Sequence, residues 1–392
     1  MAKEYEKIIL LSIQSICLIF LHKSAILSLM ETKKQRVLLG MSGGVDSSVA
    51  AVLLLEAGYV VVGTFMKNWS NGTQNSECDW REERRDAMRV AAQLGIELHT
   101  FDFEKEYRAE VFEYMIAEYR SGRTPNPDVL CNKYMKFGYL LNESKKLGCD
   151  FIATGHYARL HRDARGVAHL LAGVDPEKDQ SYFLCQLTQD QLKHCLFPIG
   201  DLLKSRVREI ARAHELPVAE KKDSQGICFI GQVSLSDFLK TRIPPVPGKI
   251  VTPDGTILGN HQGYAYYTIG QREGLGIGGG EPYFVTEIRP TTNEVVVAKE
   301  GDPALFSSGV EAIGVSESIP GILKSKISYL ARLRYRQPLL ACTIESFENQ
   351  KMTVRFTEAQ RAVAPGQFIA FYDQSGEELL GSAIIDKALH FE

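Results

Sequence analysis

Short apolar runs of strand length alternate with helical stretches over the first half of the chain, and this alternation most constrains the fold. The strand-like runs are 36–40, 59–65, 96–101 and 151–154, and the helical stretches are 49–57, 79–94, 104–120 and 131–147. Such alternation is typical of a parallel sheet with helices on both faces. Ligands of these sheets bind beyond the carboxyl ends of the strands, so we expect functional residues there.

The pattern changes after about Leu216, where the helical signal fades. Residues 244–248 read Pro-Pro-Val-Pro-Gly, and a glycine-rich run covers 274–280. Short β-type runs separated by turns follow at 283–288, 294–298, 353–356 and 367–372. They predict a small β-barrel or sandwich after the α/β region.

Residues 40–48, between the first strand and the first helix, read Gly-Met-Ser-Gly-Gly-Val-Asp-Ser-Ser. Gly43 and Gly44 let the backbone turn its N–H groups toward an anion, the serines add hydroxyl donors, and the helix N-terminus adds its dipole. Asp46 can cap the helix or help hold a magnesium ion. The Gly-Lys-Ser/Thr of a Walker A loop is missing. The segment predicts a phosphate site, and a glycine turn that binds nothing is the alternative.

Residues 124–132 read Thr-Pro-Asn-Pro-Asp-Val-Leu-Cys-Asn, with two prolines that stiffen the approach to a helix. We expect Asp128 to be the N-cap, which places Cys131 in the first turn, where the positive helix end favours a thiolate. Asp128 opposes that ionisation but is able to accept or return a proton. Which effect wins stays open, and a rigid turn with a buried cysteine is the alternative.

A second cysteine, Cys228, lies between apolar residues in segment 223–231. By itself it suits a structural cysteine. Together with a phosphate site and Cys131, it suggests sulfur delivery, in which one cysteine carries a persulfide and a second thiol releases the sulfur. The eight cysteines form no CxxC pair, so we predict neither a zinc knuckle nor an iron–sulfur cluster, and we assign no residue of this chain as a metal ligand from its cysteines. Their scatter favours a reducing cytosol, and we expect Cys149 and Cys185 to be buried.

The net charge of −3 gives the chain no positive field, so any RNA must be bound by local basic patches. Residues 8–29 are mostly apolar, but polar residues divide them into pieces too short to span a bilayer. We expect residues 1–32 to be an upstream mis-assigned start or a tail outside the fold. A membrane anchor is the alternative.

Six motifs occur together in one order and identify a family. They are the loop at Gly40 to Ser47, Asn126-Pro127-Asp128 with Cys131, Thr154-Gly155-His156-Tyr157, Lys178-Asp179-Gln180-Ser181-Tyr182, residues 223–231, and Tyr267-Thr268-Ile269-Gly270-Gln271-Arg272. The first resembles the SGGxDS loop of the PP-loop ATP pyrophosphatases. The set, which spans roughly residues 35 to 390, is similar to the bacterial-type tRNA-specific 2-thiouridylases.

This resemblance implies an α/β fold with three parts. A parallel-sheet PP-loop domain of the adenine nucleotide alpha hydrolase-like type would bind ATP and carry the catalytic residues (33–216). A small central domain (217–282) and a C-terminal β-barrel that contacts tRNA (283–392) would follow, with 1–32 as a non-functional tail.

The resemblance also implies a reaction. ATP, with Mg²⁺, would adenylate the C2 oxygen of the wobble uridine of tRNAs for Lys, Glu and Gln, and sulfur from a cysteine persulfide would displace AMP. The partners would be tRNA and a sulfur-relay protein or cysteine desulfurase, in the cytoplasm and without a membrane.

Residue roles follow from the same resemblance. Cys131 would be the nucleophile, Cys228 the persulfide carrier and Asp128 the acid/base group, and the two cysteines would form a disulfide after sulfur release. ATP would contact Gly40, Met41, Ser42, Gly43, Gly44, Val45, Asp46, Ser47, Met66 and Gly155. The tRNA would contact Asn126, Pro127, Asp128, His156, Lys178, Asp179, Gln180, Arg334, Tyr335 and Gln367. From the residues alone, Arg334 and Tyr335 suit a charged strand face, Gln367 an ordinary turn, and His156 a satisfied core histidine.

Two other functions compete with this hypothesis. A PP-loop ligase acting on a small metabolite, like NAD or argininosuccinate synthetases, would need neither cysteine. A non-catalytic tRNA-binding or sulfur-carrier protein would need no intact phosphate loop, and the loop here is intact.

Overall fold

The first sheet of the protein is parallel and carries the phosphate loop. The structure is a computed structural model that describes residues 34–70, 80–222, 234–278 and 280–390. In the described chain its strands are β1 (Arg36–Gly40), β2 (Val60–Lys67), β3 (Glu97–Asp102), β4 (Phe151–Ala153) and β7 (Cys195–Leu196). Their order across the sheet is β3-β2-β1-β4-β7. The predicted parallel α/β sheet is confirmed, and β1 lies at its centre.

Strand β1 separates two hydrophobic cores, one on each face of the sheet. Val37, Leu38 and Leu39 are all fully buried. Leu38 belongs to one core, while Val37 and Leu39 belong to the other, as the two-residue period of a strand requires. A central parallel strand is covered on both faces, which explains why its sequence is continuously apolar.

Helices cover both faces of the sheet and also connect it to the remaining domains. The longer ones are Val45–Glu56, Trp80–Leu94 and Lys204–Ala213. Two composite helices contain π-helical turns; their parts are Glu104–Tyr107, Arg108–Phe112 and Glu113–Arg120, and then Pro127–Leu130, Cys131–Tyr139 and Leu140–Lys146. Short helices are Ser181–Leu184, Gln189–Leu192, Leu235–Lys240, Tyr264–Tyr266 and Pro303–Leu305. None of the helices in the described ranges has the length and apolarity needed to cross a bilayer.

The predicted helix cap at Asp128 is wrong, and Asp46 does not take the capping role that was one of its two alternatives. The helix after the phosphate loop begins at Val45 with Gly44 as its N-cap and no side-chain cap, so Asp46 does not cap it. The helix before Cys131 begins at Pro127, and its N-cap is Asn126, whose side chain accepts a hydrogen bond from the N–H of Val129 at 3.3 Å. Proline fits the first helical position because it has no N–H to satisfy, which moves the cap from Asp128 to the preceding asparagine.

A central four-stranded sheet follows. Its strands are β8 (Gly248–Val251), β9 (Ile257–His261), β10 (Tyr283–Arg289) and β11 (Glu294–Lys299), and their order is β10-β11-β8-β9. The predicted runs at 283–288 and 294–298 are therefore strands, but they pair with this sheet and not with the barrel. The domain bounds inferred from the sequence stay a prediction.

The C-terminal region is a closed barrel, as predicted. Its strands are β12 (Phe306–Glu317), β13 (Ile327–Arg332), β14 (Leu340–Glu348), β15 (Lys351–Arg361), β16 (Phe368–Tyr372) and β17 (Glu378–Leu389). They follow the order β12-β15-β14-β13-β16-β17, and pairing of β12 with β17 closes the ring.

Strand β17 also joins the barrel to the α/β region. A hairpin of β5 (Ala158–Arg162) and β6 (Ala168–Ala172) adds to it, with Leu379 opposite Leu170. This hairpin, which the sequence analysis did not predict, follows β4 and so extends from the carboxyl edge of the first sheet.

Candidate active site

The phosphate loop at the end of β1 is held by contacts within itself. The N–H of Ser42 donates to Ser47 Oγ at 3.2 Å, and the hydroxyls of Ser47 and Ser48 donate to the carbonyl of Gly44 at 3.2 and 2.8 Å. Gly43 has φ +74°, and a Cβ there would lie 2.2 Å from the Glu83 carbonyl oxygen. Only glycine is accommodated at this turn without backbone movement.

Two lysines bring positive charge to the loop. Lys204 Nζ lies 2.7 and 2.9 Å from the two carboxylate oxygens of Asp46, and the Tyr157 hydroxyl donates to Asp46 Oδ1 at 2.8 Å. Lys221 Nζ donates to the Gly43 carbonyl at 3.1 Å. The loop therefore combines two glycine amides, a helix N-terminus and nearby ammonium groups, which together suit a polyphosphate.

The fit to magnesium depends on Asp46. Mg²⁺ in nucleotide sites is commonly held by one or two carboxylates together with phosphate oxygens and water. Here Lys204 and Tyr157 already occupy the Asp46 carboxylate, so the side chain fits a cation only after Lys204 moves. No cluster of three or more His, Cys, Asp or Glu able to hold a metal occurs within the described ranges. Phosphate oxygens would have to supply most of the ligands.

The predicted nucleotide residues beyond the loop lie at the ends of the neighbouring strands. Met41 is buried, and its N–H donates to the Thr64 carbonyl at 2.7 Å. Met66 is partly buried near the end of β2. A Cβ on Gly155 would lie 2.6 Å from the N atom of Ser47, so the chain after β4 touches the start of the loop's helix. The structure thus brings Gly155 against residues 40–47.

Asp128 and Cys131 begin the composite helix on the other side of β4. Cys131 is buried, with 4% of its surface exposed. Burial raises the pKa of the partly buried Asp128 carboxyl, and the positive charge of Lys136 opposes part of that rise. A carboxyl with a raised pKa beside a cysteine suits proton transfer in this region.

Strand β4 connects the two halves of the site through His156. Its Nδ1 lies 2.7 Å from Thr154 Oγ1, and its Nε2 lies 3.4 Å from Lys136 Nζ. Burial, helped by Lys136, lowers the pKa of His156 well below its usual value, so the ring is neutral. Next to it, Gly155 touches the phosphate loop. Consecutive residues after β4 therefore face the loop and the helix of Asp128.

Cys228 lies outside the described residues, and so does the predicted Cys131–Cys228 disulfide. The described cysteines Cys131, Cys149, Cys185, Cys195 and Cys342 are buried and form no disulfide. The predicted burial of Cys149 and Cys185 is confirmed. Burial raises the pKa of Cys185 to about 12, so this thiol does not ionise at neutral pH.

Two of the predicted tRNA contacts, Asp179 and Gln180, have structural partners. Asp179 is buried and accepts hydrogen bonds from the N–H groups of Gly173 and Ser181, both at 3.0 Å, and from Arg332 of β13 at 2.5 Å. Gln180 pairs with Tyr157 through its backbone at 2.8 Å and its side chain at 3.0 Å. Lys178 is partly exposed.

The barrel contributes the remaining predicted residues. Arg334 is exposed, and the Tyr335 ring packs 4.5 Å from that of Phe183. Gln367 Nε2 donates to the carbonyls of Thr124 and Pro125 at 2.9 and 3.3 Å, and Asn126 Nδ2 lies 3.4 Å from Gln367 Oε1. Gln367 and Asn126 are thus brought together beside the helix of Asp128.

Sequence reasoning missed the residues that hold these pieces in place, among them Lys204, Lys221 and Arg123. Lys204 is the first residue of its helix. A cation there is unfavourable to the helix dipole, and this is the signal by which it was recognisable. Arg123 pairs with Glu118 and Asp386 at 2.7 and 2.8 Å, and nothing in the local sequence indicates the second partner.

Comparison with known proteins agrees with the fold and the motifs. The family described as tRNA methyl transferase HUP domain matches residues 35–232. The tRNA methyl transferase PRC-barrel domain and the aminomethyltransferase beta-barrel domain match 236–299 and 314–385. The protein named tRNA-specific 2-thiouridylase MnmA of Enterococcus faecalis is 48% identical, over 92% of this chain and 98% of its own. Its namesake in Bacillus subtilis is 49% identical, over 90% and 95%.

The chain belongs to the tRNA-specific 2-thiouridylase family. The resemblance drawn from the motifs is thereby confirmed. Among solved structures, this 2-thiouridylase-family chain matches an NMN synthetase from Francisella tularensis at 18% identity and TM-score 0.32, over 52% of this chain and 71% of that one. It also matches a 4-thiouridine synthetase–RNA complex with bound ATP at 16% identity and TM-score 0.32, over 54% and 50%.

Proposed function

We propose that this chain is an ATP-dependent tRNA-uridine 2-sulfurtransferase, which replaces the C2 oxygen of a uridine with sulfur. Relatives named 2-thiouridylases align with more than nine-tenths of it in two cases, at 48% identity. The observation that carries the proposal is the position of β4: Gly155 touches the phosphate loop, while His156 contacts Lys136 on the helix of Cys131. The phosphate loop and the helix of Cys131 thus contact consecutive residues after one strand, which supports a proposal that combines nucleotide and thiol chemistry.

The substrate proposed is the wobble uridine of tRNAs for Lys, Glu and Gln, which rests on the resemblance described above. An enzyme that acts on a base takes it out of its stack, so the uracil would enter the region between Asn126, Asp128 and Gln367. Arg334, Arg336 and Tyr335 on the barrel supply exposed cations and an aromatic ring of the kind that binds RNA.

In the proposed first step, the uracil O2 attacks the α-phosphorus of ATP, and the bond to the β-phosphate breaks. Pyrophosphate leaves into the amides of Gly43 and Gly44. Asp128, whose pKa burial raises, receives the N3 proton that the base loses. Magnesium bound to the phosphates would supply charge neutralisation there.

In the proposed second step, the terminal sulfur of a Cys228 persulfide attacks C2, and AMP leaves with the former O2. The Cys131 thiolate attacks Cys228 Sγ and breaks the persulfide S–S bond, which leaves sulfur on the base and a Cys131–Cys228 disulfide. A thiol reductant then returns both cysteines to thiols. A cysteine desulfurase or a sulfur-relay protein would reload Cys228, and the scattered cysteines fit the reducing cytoplasm that we propose as the location.

The test uses the full chain, an unmodified tRNA transcript, ATP and a persulfide-donating desulfurase. We expect pyrophosphate release and, by mass spectrometry, 2-thiouridine in the tRNA. Cys228→Ala should form no 2-thiouridine yet bind ATP normally, whereas Cys149→Ala should retain thiolation. Full thiolation by Cys228→Ala would refute the carrier role. Turnover of a small metabolite with both Cys131 and Cys228 replaced would instead favour a metabolite ligase.

A further inference from the structure

The ammonium group of Lys221 contacts the backbone of the phosphate loop. Its Nζ donates to the Gly43 carbonyl at 3.1 Å and to Asp86 Oδ2 at 2.8 Å. The Lys221 backbone is itself fixed, because its N–H donates to the Val218 carbonyl at 3.0 Å. The side chain thus reaches the loop from a defined turn after helix Lys204–Ala213.

Helix Trp80–Leu94 packs against the same part of the phosphate loop and contacts Lys221. Asp86, the partner of Lys221, exposes only 14% of its side chain. One turn earlier, the Glu83 carbonyl oxygen lies 2.2 Å from the position that a Gly43 Cβ would take. Gly43 is therefore packed against the helix backbone and hydrogen-bonded to a lysine that the helix anchors.

Because of the geometry of the peptide bond, this contact also fixes the direction of the neighbouring Gly44 N–H. The carbonyl of Gly43 and the N–H of Gly44 belong to one peptide unit, and no cis peptide occurs in the described ranges. In a planar trans peptide these two groups point in opposite directions. Because Lys221 holds the carbonyl, the Gly44 N–H must point away from the lysine, at the N-cap of helix Val45–Glu56.

We propose that Lys221 is a positioning residue for ATP: it binds the Gly43 carbonyl so that the Gly44 N–H faces the phosphates. This inference rests on the ATP use proposed above. Without Lys221 the Gly43–Gly44 peptide gains rotational freedom, and ordering it on binding would weaken the affinity for ATP. Lys221 acts through the peptide and does not itself touch the phosphate.

The test compares Lys221→Met with Lys222→Met, which removes the same charge from the exposed neighbouring lysine. Pyrophosphate release gives KM for ATP and, separately, KM for tRNA. We expect Lys221→Met to raise KM for ATP about tenfold, as loss of a charge-assisted hydrogen bond would, and to leave KM for tRNA unchanged. Lys222→Met should change neither, and Lys221→Arg should recover most of the loss.

A second variant keeps the inference testable if Lys221→Met fails to fold, because it leaves Lys221 in place. Asp86→Asn leaves the lysine in place with a hydrogen-bond acceptor but removes the negative charge that attracts its ammonium group. We expect this variant to raise KM for ATP by about threefold, a smaller effect than loss of the lysine. Equal KM values for ATP in Lys221→Met and Lys222→Met would overturn the inference, as would a parallel rise in both KM values. A wild-type protein that releases no pyrophosphate would overturn the proposed function instead.

Discussion

The two halves of the candidate site differ in what holds them. The phosphate loop is held within the α/β region, by bonds among Ser42, Gly44, Ser47 and Ser48 and by Lys221 at the Gly43 carbonyl. The approach to Cys131 is held by the barrel: the Thr124 N–H donates to the Pro365 carbonyl at 2.8 Å, and Arg123 binds Asp386, 263 positions away. Nucleotide binding should therefore tolerate damage to the barrel, whereas base and sulfur chemistry should not.

The largest effect should come from Asp128→Asn, which leaves the first half untouched. We expect thiolation to fall by about 100-fold or more, because the proposed acid/base group is lost, with no change in ATP affinity. Mass spectrometry of the tRNA measures thiolation, and equilibrium binding measures the affinity for ATP. Asp201→Asn, at an exposed position, is the control. A parallel loss of ATP affinity would contradict the separation of the halves.

The same variant has a pH signature. Burial raises the pKa of Asp128, so the folded protein binds this proton more tightly than the unfolded chain. The stability from this group is therefore full below its unfolded pKa and is lost as the pH rises through the folded value. At neutral pH the raised pKa of the Asp128 carboxyl opposes folding, and Asp128→Asn should melt at a higher temperature than the wild type. Thermal melts at pH 7 and near pH 4 should show that difference disappear in acid.

Gly43→Ala tests the half of the site that contains the phosphate loop. A methyl group at φ +74° would meet the Glu83 carbonyl, so the loop must move, and we expect ATP affinity to fall by about tenfold to 100-fold. Gly58→Ala is the matched control, since Gly58 has φ +85° with open space around it. Isothermal titration with ATP measures both, and equal losses would show that backbone strain, not the contact with Glu83, is responsible.

Arg123→Met tests the other half of the site, the approach to Cys131, which the barrel holds. Removing one partner of a mostly buried ion pair should cost about 3 kcal/mol of unfolding free energy and reduce thiolation about tenfold, while ATP affinity is kept. Arg212→Met removes an equally short pair, Arg212–Glu220 at 2.7 Å, from an exposed surface, and it should lower the unfolding free energy far less than Arg123→Met does. Urea unfolding and ATP titration report both. Unchanged thiolation in Arg123→Met would show that the barrel does not position the helix of Asp128 and Cys131 for the proposed reaction.

Gln367→Ala should have the smallest effect. It removes two hydrogen bonds to the loop before Asn126, and we expect a loss of about threefold to fivefold in thiolation rate. Gln374→Ala removes a similar bond, to the Ser328 carbonyl, elsewhere on the barrel. If the two variants thiolate tRNA at the same rate, Gln367 has no special part in holding the loop.

The contrast also explains what the sequence could predict. Strands β1 to β4 and the glycine loop were predictable because their signals lie within a few residues: an apolar run, adjacent glycines, then a helix. The cap at Asn126 was missed although its signal, a proline at the next position, was present. The pairing partners of the strands could not be predicted from the sequence, because nothing near Ala168 indicates that β6 will pair with β17. The same holds for β10 and β11, which join the central sheet through β8.

Strand β17 has a consequence for how the protein is made. It pairs with β12, β16 and β6, and Glu378 accepts a hydrogen bond from His169 across 209 positions. During synthesis the β5–β6 hairpin must wait, with one edge unpaired, until the ribosome has produced these distant residues. Exposed strand edges invite aggregation, so nascent chains should need chaperone protection during that interval. A premature stop before residue 378 would leave the hairpin permanently unpaired, and we expect such fragments to be degraded.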